Sequence, residues 1–165
     1  EDAVADKYEG VPLIKLRMID LSGLGVDAMR GDQVYPSIVE LDLSGSSLPS
    51  LSPLTLAFPH LRRLVLRDCP DASTLRTLHL VSLADLDLSG TPLTWDDLDA
   101  GTFARLPALH SLVCERCGLE DMLKAAPIST VLTSLSLCGN QITSIGPLLA
   151  SFPSLTSLRW CRAPS

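Results

Sequence analysis

The sequence is poor in aromatic and basic side chains. Aromatic residues make up 4% of its 165 positions, and 13 Lys and Arg stand against 19 Asp and Glu, which gives a formal net charge of −6. Binding of nucleic acid through neutralised phosphates requires a basic surface, so this composition argues against a nucleic-acid-binding protein. The sequence also lacks a run of 18 apolar residues, so we expect no membrane-spanning segment and no membrane partner.

Signals of secretion and glycosylation are missing as well. The first ten residues are polar and hold no apolar stretch typical of a signal peptide, although a signal removed earlier stays an open alternative because the sequence does not begin with Met. The single asparagine, Asn140, precedes Gln and Ile, so there is no N-glycosylation motif. The five cysteines are odd in number and do not resemble a disulfide framework. These absences favour the cytoplasm.

Leucine is abundant and periodic. Thirty-three leucines make up a fifth of the chain. The pattern Leu-x-x-Leu-x-Leu-x-x-(Asn/Cys)-x-Leu recurs with starts near 16, 38, 61, 83, 109, 132 and 155. We number its positions slot 1 to slot 11, so that apolar residues occupy slots 1, 4 and 6. Four copies follow an X-Pro pair, which favours extended backbone and therefore the start of a strand.

This repeat resembles that of leucine-rich-repeat proteins, in particular the short intracellular class. The resemblance implies an α/β solenoid, a curved right-handed coil with a parallel sheet on its concave face and a mostly irregular or 3-10 convex side. We predict short helices over 95–104, where Thr94 and Asp97 can form a capping box, and over 120–126. We expect one domain, residues 1–165, with about seven repeats, excised from a larger chain because its last repeat lacks a cap.

We expect neither a metal site nor a catalytic site in this sequence. His110, Cys114 and Cys117 resemble part of a zinc site, and Cys-x-x-Cys resembles a redox pair. The repeat register, however, places them in slots 2, 6 and 9, which point in different directions, and a fourth ligand is missing. Motifs of hydrolases, P-loop proteins and zinc proteases are also absent. We therefore predict no enzyme, no metal site and no cofactor.

The concave face is where repeat proteins bind their partners, and slots 2, 3, 5, 7 and 8 point out of it. Arginine is enriched at protein interfaces and pairs with carboxylates, so charged residues in these slots predict a protein-binding surface. The candidates are Arg62, Arg63, Arg67, Asp42, Asp87, Glu115, Arg116 and Arg159. As an alternative, Arg62 and Arg63 pair internally with Glu40 and Asp85. Trp160, in slot 6 of the last repeat, is expected to pack against a neighbouring domain.

Three parts of the sequence resemble the repeat domain of the tubulin-folding cofactor E family. They are residues 15–21 with 35–44, the stretch Leu88-Ser-Gly-Thr-Pro-Leu-Thr-Trp95 that enters the longest repeat, and residues 152–164. The resemblance implies a non-catalytic scaffold that binds tubulin or other tubulin cofactors. It also implies a cytoplasmic, microtubule-associated chain with a Cap-Gly domain before this segment and a ubiquitin-like domain after it.

Two other classes of protein fit the repeat pattern. One is a regulatory repeat subunit of an intracellular phosphatase or GTPase, which would use the same concave face. The other is a fragment of an extracellular recognition receptor, a class in which cysteine caps, glycosylation motifs and a signal peptide are usual. In every case we expect a monomer that binds a protein.

Overall fold

Seven short strands form one parallel sheet. The computed structural model describes residues 7–23, 33–47, 49–123 and 128–161, without the side chains of Leu13 and Ala72. The strands are β1 (Met18–Asp20), β2 (Glu40–Asp42), β3 (Arg63–Val65), β4 (Asp85–Asp87), β5 (Ser111–Val113), β6 (Ser134–Ser136) and β7 (Ser157–Arg159). They pair in chain order, each parallel to the next, and the sheet stays open. The predicted α/β solenoid is therefore confirmed.

Each strand occupies slots 3 to 5 of its repeat. Neighbouring strands align slot on slot, so that Leu41 pairs with Leu64 and Leu135 with Leu158. Because side chains alternate along a strand, slot 4 points into the core while slots 3 and 5 point out. Arg63 is accordingly exposed, whereas Leu64 beside it is fully buried.

Slots 1, 4 and 6 build a continuous apolar core. Ile38, Leu41 and Leu43 of the second repeat are all at most 1% exposed, and the following repeats add equivalent layers. Burial of one such side chain contributes roughly 1.5–3 kcal/mol, so stacked layers offset the entropy lost by ordering the long connections between very short strands. Phe58 fills the space under the sheet and stacks on Tyr35, with ring centroids 5.4 Å apart.

A buried side chain in slot 9 ties the turn to a neighbouring repeat in the third to sixth repeats, whereas the buried hydroxyl of Ser46 in the second repeat forms no hydrogen bond to any of the described residues. Oδ1 of Asn140 accepts hydrogen bonds from the backbone N–H groups of Cys117 and Leu119 at 2.9 and 3.1 Å. Its Nδ2 donates to the carbonyl oxygens of Cys114 and Leu137 at 2.6 and 2.9 Å. These bonds satisfy backbone groups that would otherwise be buried without partners. The same slot gives a bond to an earlier repeat from Cys69, Thr91 and Cys117.

Where they are described, the segments that return behind the sheet hold short helices. They are α1 (Pro53–Ala57), α2 (Ala100–Ala104) and α3 (Gly146–Ser151), with 3-10 turns at Leu13–Lys15 and Ala72–Thr77. Both α1 and α3 end one residue before a Phe-Pro pair, because proline disfavours helical backbone in the residue that precedes it. None of the helices described here is long and apolar enough to cross a membrane.

The two predicted helices need correction. The capping contact forms, since the backbone N–H and the hydroxyl of Thr94 both donate to Oδ2 of Asp97, at 2.9 and 2.7 Å. It closes a turn, however, and the helix begins only at Ala100, where Asp99 caps it by accepting from the N–H of Thr102 at 2.7 Å. Residues 120–123 are not helical, and 124–127 lie outside the described residues.

Replacing Leu135 with Ala should destabilise the chain by about 2–5 kcal/mol, because slot 4 of β6 is only 2% exposed and the deletion leaves a cavity. Chemical denaturation measures the change. The control is Ser134→Ala in the outward slot next to it, for which we expect a change within about 0.5 kcal/mol. A loss below about 1 kcal/mol for L135A would contradict the register given above.

Candidate functional site

The outward side chains of the sheet line a depression that runs from β3 to β7. It contains six of the residues predicted to form a binding surface, namely Arg63, Arg67, Asp87, Glu115, Arg116 and Arg159. Asp42 lies in an adjoining depression that shares Arg63 and Arg67 with the first. Arg62 and Trp160 line neither of them. The solenoid thus gathers on one face residues that lie up to about a hundred positions apart in sequence.

The closest charge contact in this depression joins Arg67 to Asp87. Nε of Arg67 donates to Oδ2 of Asp87 at 2.7 Å, and Nη2 lies 2.6 Å from the same oxygen. Asp87 is only 7% exposed and also accepts from the backbone N–H of Ser89 at 3.0 Å. Burial alone would raise the pKa of this carboxyl, but the bonds from Arg67 and Ser89 outweigh burial and lower its pKa. Arg67 is therefore a structural partner of Asp87.

Arg62 and Arg63 are exposed cations of a different kind. The sheet register places Arg63 between Glu40 of β2 and Asp85 of β4. Even so, the ion pairs found among the described residues involve neither Arg62 nor Arg63. The alternative of internal pairing is thus not supported. Ion pairs between such water-exposed side chains contribute only about 0–1 kcal/mol and cost rotamer freedom, so both arginines stay available to a partner.

Glu115 organises the other end of the depression. Its Oε1 accepts from the hydroxyl of Ser136 at 2.6 Å and lies 3.9 Å from Nη1 of Arg159. The exposed Arg159 is thereby held loosely over β6 and β7.

Two charged residues take left-handed backbone in slot 8. Asp68 and Arg116 have φ angles of 54° and 55°, in the region that favours glycine. Each lies over the glycine of the next repeat. A Cβ on Gly90 would clash with the carboxylate of Asp68, and one on Gly139 would lie 2.7 Å from Cγ of Arg116. Strained backbone of this kind clusters at functional sites, which supports Arg116 as a candidate.

The carboxylates at the first strands stabilise turns. Oδ1 of Asp42 accepts from the backbone N–H and the hydroxyl of Ser44 at 2.9 and 2.6 Å. Asp20 and Ser22 repeat this arrangement one repeat earlier, and the bonds from Ser22 lower the pKa of Asp20. Asp42 therefore presents a fixed carboxylate, instead of a free side chain, in the depression that also contains Arg63 and Arg67.

A disulfide joins Cys138 to Cys161, which occupy slot 7 of the last two repeats. Their Cα atoms are 4.5 Å apart, because parallel strands bring the same slot of successive repeats side by side. No disulfide framework was expected from the sequence, and this single pair was not predicted. The odd cysteine count concealed the pair, yet its separation of 23 residues equals one repeat and could have indicated it. Cys69, Cys114 and Cys117 are free and buried.

His110 lies apart from Cys114 and Cys117, whose thiols contact each other, so the prediction that the three point in different directions is wrong for the two cysteines. His110 is exposed, Cys114 is fully buried, and Sγ of Cys117 donates to the carbonyl oxygen of Leu88 at 3.2 Å. Burial raises the pKa of the Cys114 thiol well above its usual value, so this thiol stays protonated and unreactive. In the part of the chain that the structure describes, no group of three potential metal ligands comes together.

Trp160 closes the core at the last strand. Its ring packs against the core and its Nε1 donates to the carbonyl oxygen of Ile142 at 3.1 Å. Trp160, Leu155 and Leu158 are only half-buried, whereas Leu135 and Leu137 in the preceding repeat are almost completely buried. Packing of Trp160 against a neighbouring domain stays a prediction.

Comparison with known proteins agrees with this architecture. A family model described as Leucine Rich Repeat matches residues 131–158. A secreted internalin-like protein of Listeria monocytogenes superposes with a TM-score of 0.63 and 19% identity over 97% of this chain. An internalin of the same species superposes with a TM-score of 0.55 and 22% identity over 90%. The chain thus has the solenoid fold of leucine-rich-repeat proteins, and the family match itself covers residues 131–158.

These similarities define the fold and go no further. The chain spans 61% and 48% of the two internalin structures, at identities that carry no information on partners. A search of curated proteins finds no match to the sequence. No tubulin chaperone is among the matches described, so the resemblance to the tubulin-folding cofactor E family gains no support from them.

Replacing Asp87 with Asn should lower the free energy of unfolding by about 1–3 kcal/mol at neutral pH, because charge-assisted bonds from Arg67 are lost. The folded state lowers the pKa of Asp87, so this stabilisation is complete above the unfolded value and is lost as the pH falls through the folded value. The difference between wild type and D87N in urea denaturation should therefore shrink from about pH 5 to about pH 2.

The matched control is Asp85→Asn, which changes the exposed slot 3 of the same strand and should be nearly neutral at both pH values. A D87N effect that does not change with pH would show that the charge of Asp87 contributes nothing to folding.

Removal of the Cys138–Cys161 disulfide should loosen the last repeat, because stability in a solenoid passes only between neighbouring repeats. We expect the free energy of unfolding of C138S/C161S to be about 2–4 kcal/mol lower than that of the wild type, which chemical denaturation measures. We also expect the backbone amide hydrogens of β7 to exchange faster and those of β3 to exchange as before, which hydrogen-exchange mass spectrometry measures. Alkylation of unreduced, denatured wild type should label three of the five cysteines. Labelling of all five would show that the bond does not form.

Proposed function

We propose that this chain is a non-catalytic scaffold that binds a protein partner through the concave face of its sheet. The observation that carries the proposal is the pair Arg62 and Arg63, which are exposed and form no ion pair among the described residues. Arginine forks bind carboxylates in pairs of hydrogen bonds and are enriched among residues that dominate interface energies. Acidic side chains of the partner are the groups that these arginines would bind.

The shape of the face supports the same conclusion. Between Arg63 at one end and Arg159 at the other, the floor of the depression includes Ser134, Ser136 and Ser157. Small hydroxyl side chains on a rigid sheet leave room for a partner's side chains and offer hydrogen bonds without bulk. A rigid floor also costs little conformational entropy on binding.

Among the alternatives for the type of partner, the extracellular recognition domain has one specific observation in its favour. Disulfides form and persist in oxidising compartments and are rare in the cytosol. The Cys138–Cys161 bond therefore supports an extracytoplasmic setting. The odd number of cysteines no longer favours the cytoplasm, because two of the five are paired. A recognition domain in that setting would use the same concave face.

Of the three stretches behind the tubulin-cofactor resemblance, the one that enters the longest repeat ends at Trp95, and this tryptophan has a structural role. Nε1 of Trp95 donates to the carbonyl oxygen of Glu120 at 2.8 Å and so ties the long fourth repeat to the fifth. A tryptophan with this role is useful to a repeat protein with any partner. Tubulin, a phosphatase and a GTPase are therefore partners to test, and no observation favours one of them over the others.

A photo-crosslinking amino acid at Ser134 should capture one protein partner in cells that produce the chain, because Ser134 lies on the floor of the depression. The same amino acid at Leu56, which is 66% exposed on α1, is the control and should not capture it. The charge-reversed variant R62E/R63E should reduce capture at least about tenfold and leave the thermal midpoint almost unchanged.

Mass spectrometry of the adduct then separates the alternatives. Tubulin would establish the cofactor alternative, which co-migration with purified tubulin dimer on size exclusion would check directly. An exported or surface protein would establish the extracellular one. Equal capture from both positions, or capture unaffected by R62E/R63E, would contradict binding at the concave face.

A further inference from the structure

A third depression lies outside the sheet, where the chain turns away from β4 and β5. Its floor contains the buried side chains of Leu93, Leu119 and Met122, and it also includes Trp95 and Leu123. We call it the Trp95 groove. Leu123 is 96% exposed, more than any other large apolar side chain in the described residues. An exposed leucine in one groove with a half-buried tryptophan is typical of an interaction surface, since apolar groups left in water gain most when a partner covers them.

Trp95 is a rigid part of this groove. Its Nε1 bond to the carbonyl oxygen of Glu120 fixes the ring between the fourth and fifth repeats. The residue before it, Thr94, is fixed by two bonds to Asp97, whose carboxylate lies 3.8 Å from Nη2 of Arg76. A ring already held in place loses little freedom when a ligand packs against it.

The rim of the groove is acidic. Asp96 and Glu120 are exposed and form no ion pair within the described part of the chain, and Asp121 lies beside them. Asp121 is fixed by Thr143 and Ser144, whose side-chain and backbone groups donate to its carboxylate and lower its pKa. None of the described residues that line the groove is Lys or Arg. The face of an indole ring also attracts cations, so both the Trp95 ring and the acidic rim favour a positively charged ligand.

We propose that the Trp95 groove binds a short basic segment of a partner protein. One apolar side chain of the segment packs in the groove against Trp95 and Leu123, and flanking Lys or Arg side chains pair with Asp96 and Glu120. The surface is separate from the arginine-bearing concave face and has the opposite charge. The protein thus presents two binding surfaces, of which the concave one takes acidic groups and the Trp95 groove takes basic ones.

Isothermal titration calorimetry with two capped peptides tests the proposal. The probe is a synthetic peptide in which two leucines are flanked on both sides by two lysines, and its control carries glutamate in place of each lysine. The lysine peptide should bind the full chain with an affinity that falls as salt is added, and the glutamate peptide should not bind. No binding of the lysine peptide at millimolar concentration would overturn the proposal.

Variants then distinguish the groove from general attraction to an acidic protein. D96N/E120Q should weaken the lysine peptide about tenfold, since each exposed ion pair contributes a factor of a few. The matched control E40Q/D85N removes the same two charges from the concave face and should change affinity less than about twofold. Equal losses in the two double variants would mean that only net charge is sensed, and would overturn the proposal.

The apolar contact has a matched control as well. L123S should weaken the lysine peptide, whereas L56S, which removes an exposed leucine on α1, should not. The chain has two tryptophans, so in W160F the fluorescence reports Trp95 alone and should change on addition of the peptide. Thermal melts check that each variant is folded. An unchanged affinity in L123S would overturn the position of the apolar side chain and with it the proposal.

Discussion

The stacking of equivalent apolar slots across a parallel ladder is the interaction on which the rest of this structure depends. A strand of three residues has no independent stability, and each one here persists because the repeats on either side cover its core side chain and bond its backbone. The outward slots accept different side chains, since slot 5 changes from Asp42 to Val65 to Asp87 without any change of register. Some outward residues nevertheless add stability, as the pair of Arg67 and Asp87 does.

The leucine spacing was sufficient to predict the sheet, because the core slots are chemically uniform and repeat at nearly constant length. The helices behind the sheet were harder. α1 and α3 have five and six residues, too few for a helical period to show in the sequence. Their ends are set by the Phe-Pro pairs that follow them, and their positions by the space that the core side chains leave behind the sheet. The capping pair at Thr94 was visible, but a second acceptor at Asp99 determines where the helix begins.

The sequence register located the outward residues but could not say how they pair. Arg63 stands directly between two carboxylates and binds neither, while Arg67, two slots beyond the strand, binds the buried Asp87. Which carboxylate an arginine binds depends on how far its side chain reaches and on how deeply the carboxylate is buried. Neither property follows from the position of a residue in the repeat. The disulfide was missed for a related reason. Counting cysteines ignores that slot 7 of adjacent repeats lies side by side.

The crowding at slot 8 limits how such a protein can change by gain or loss of repeats. Asp68 lies over Gly90 and Arg116 over Gly139, so a repeat with a side chain in this slot is followed by one without. Duplication of the third or fifth repeat in tandem would set two side chains against each other on the binding face, in backbone that already disfavours them. The order of the repeats is thus constrained, and the units are not interchangeable modules even though their cores are alike.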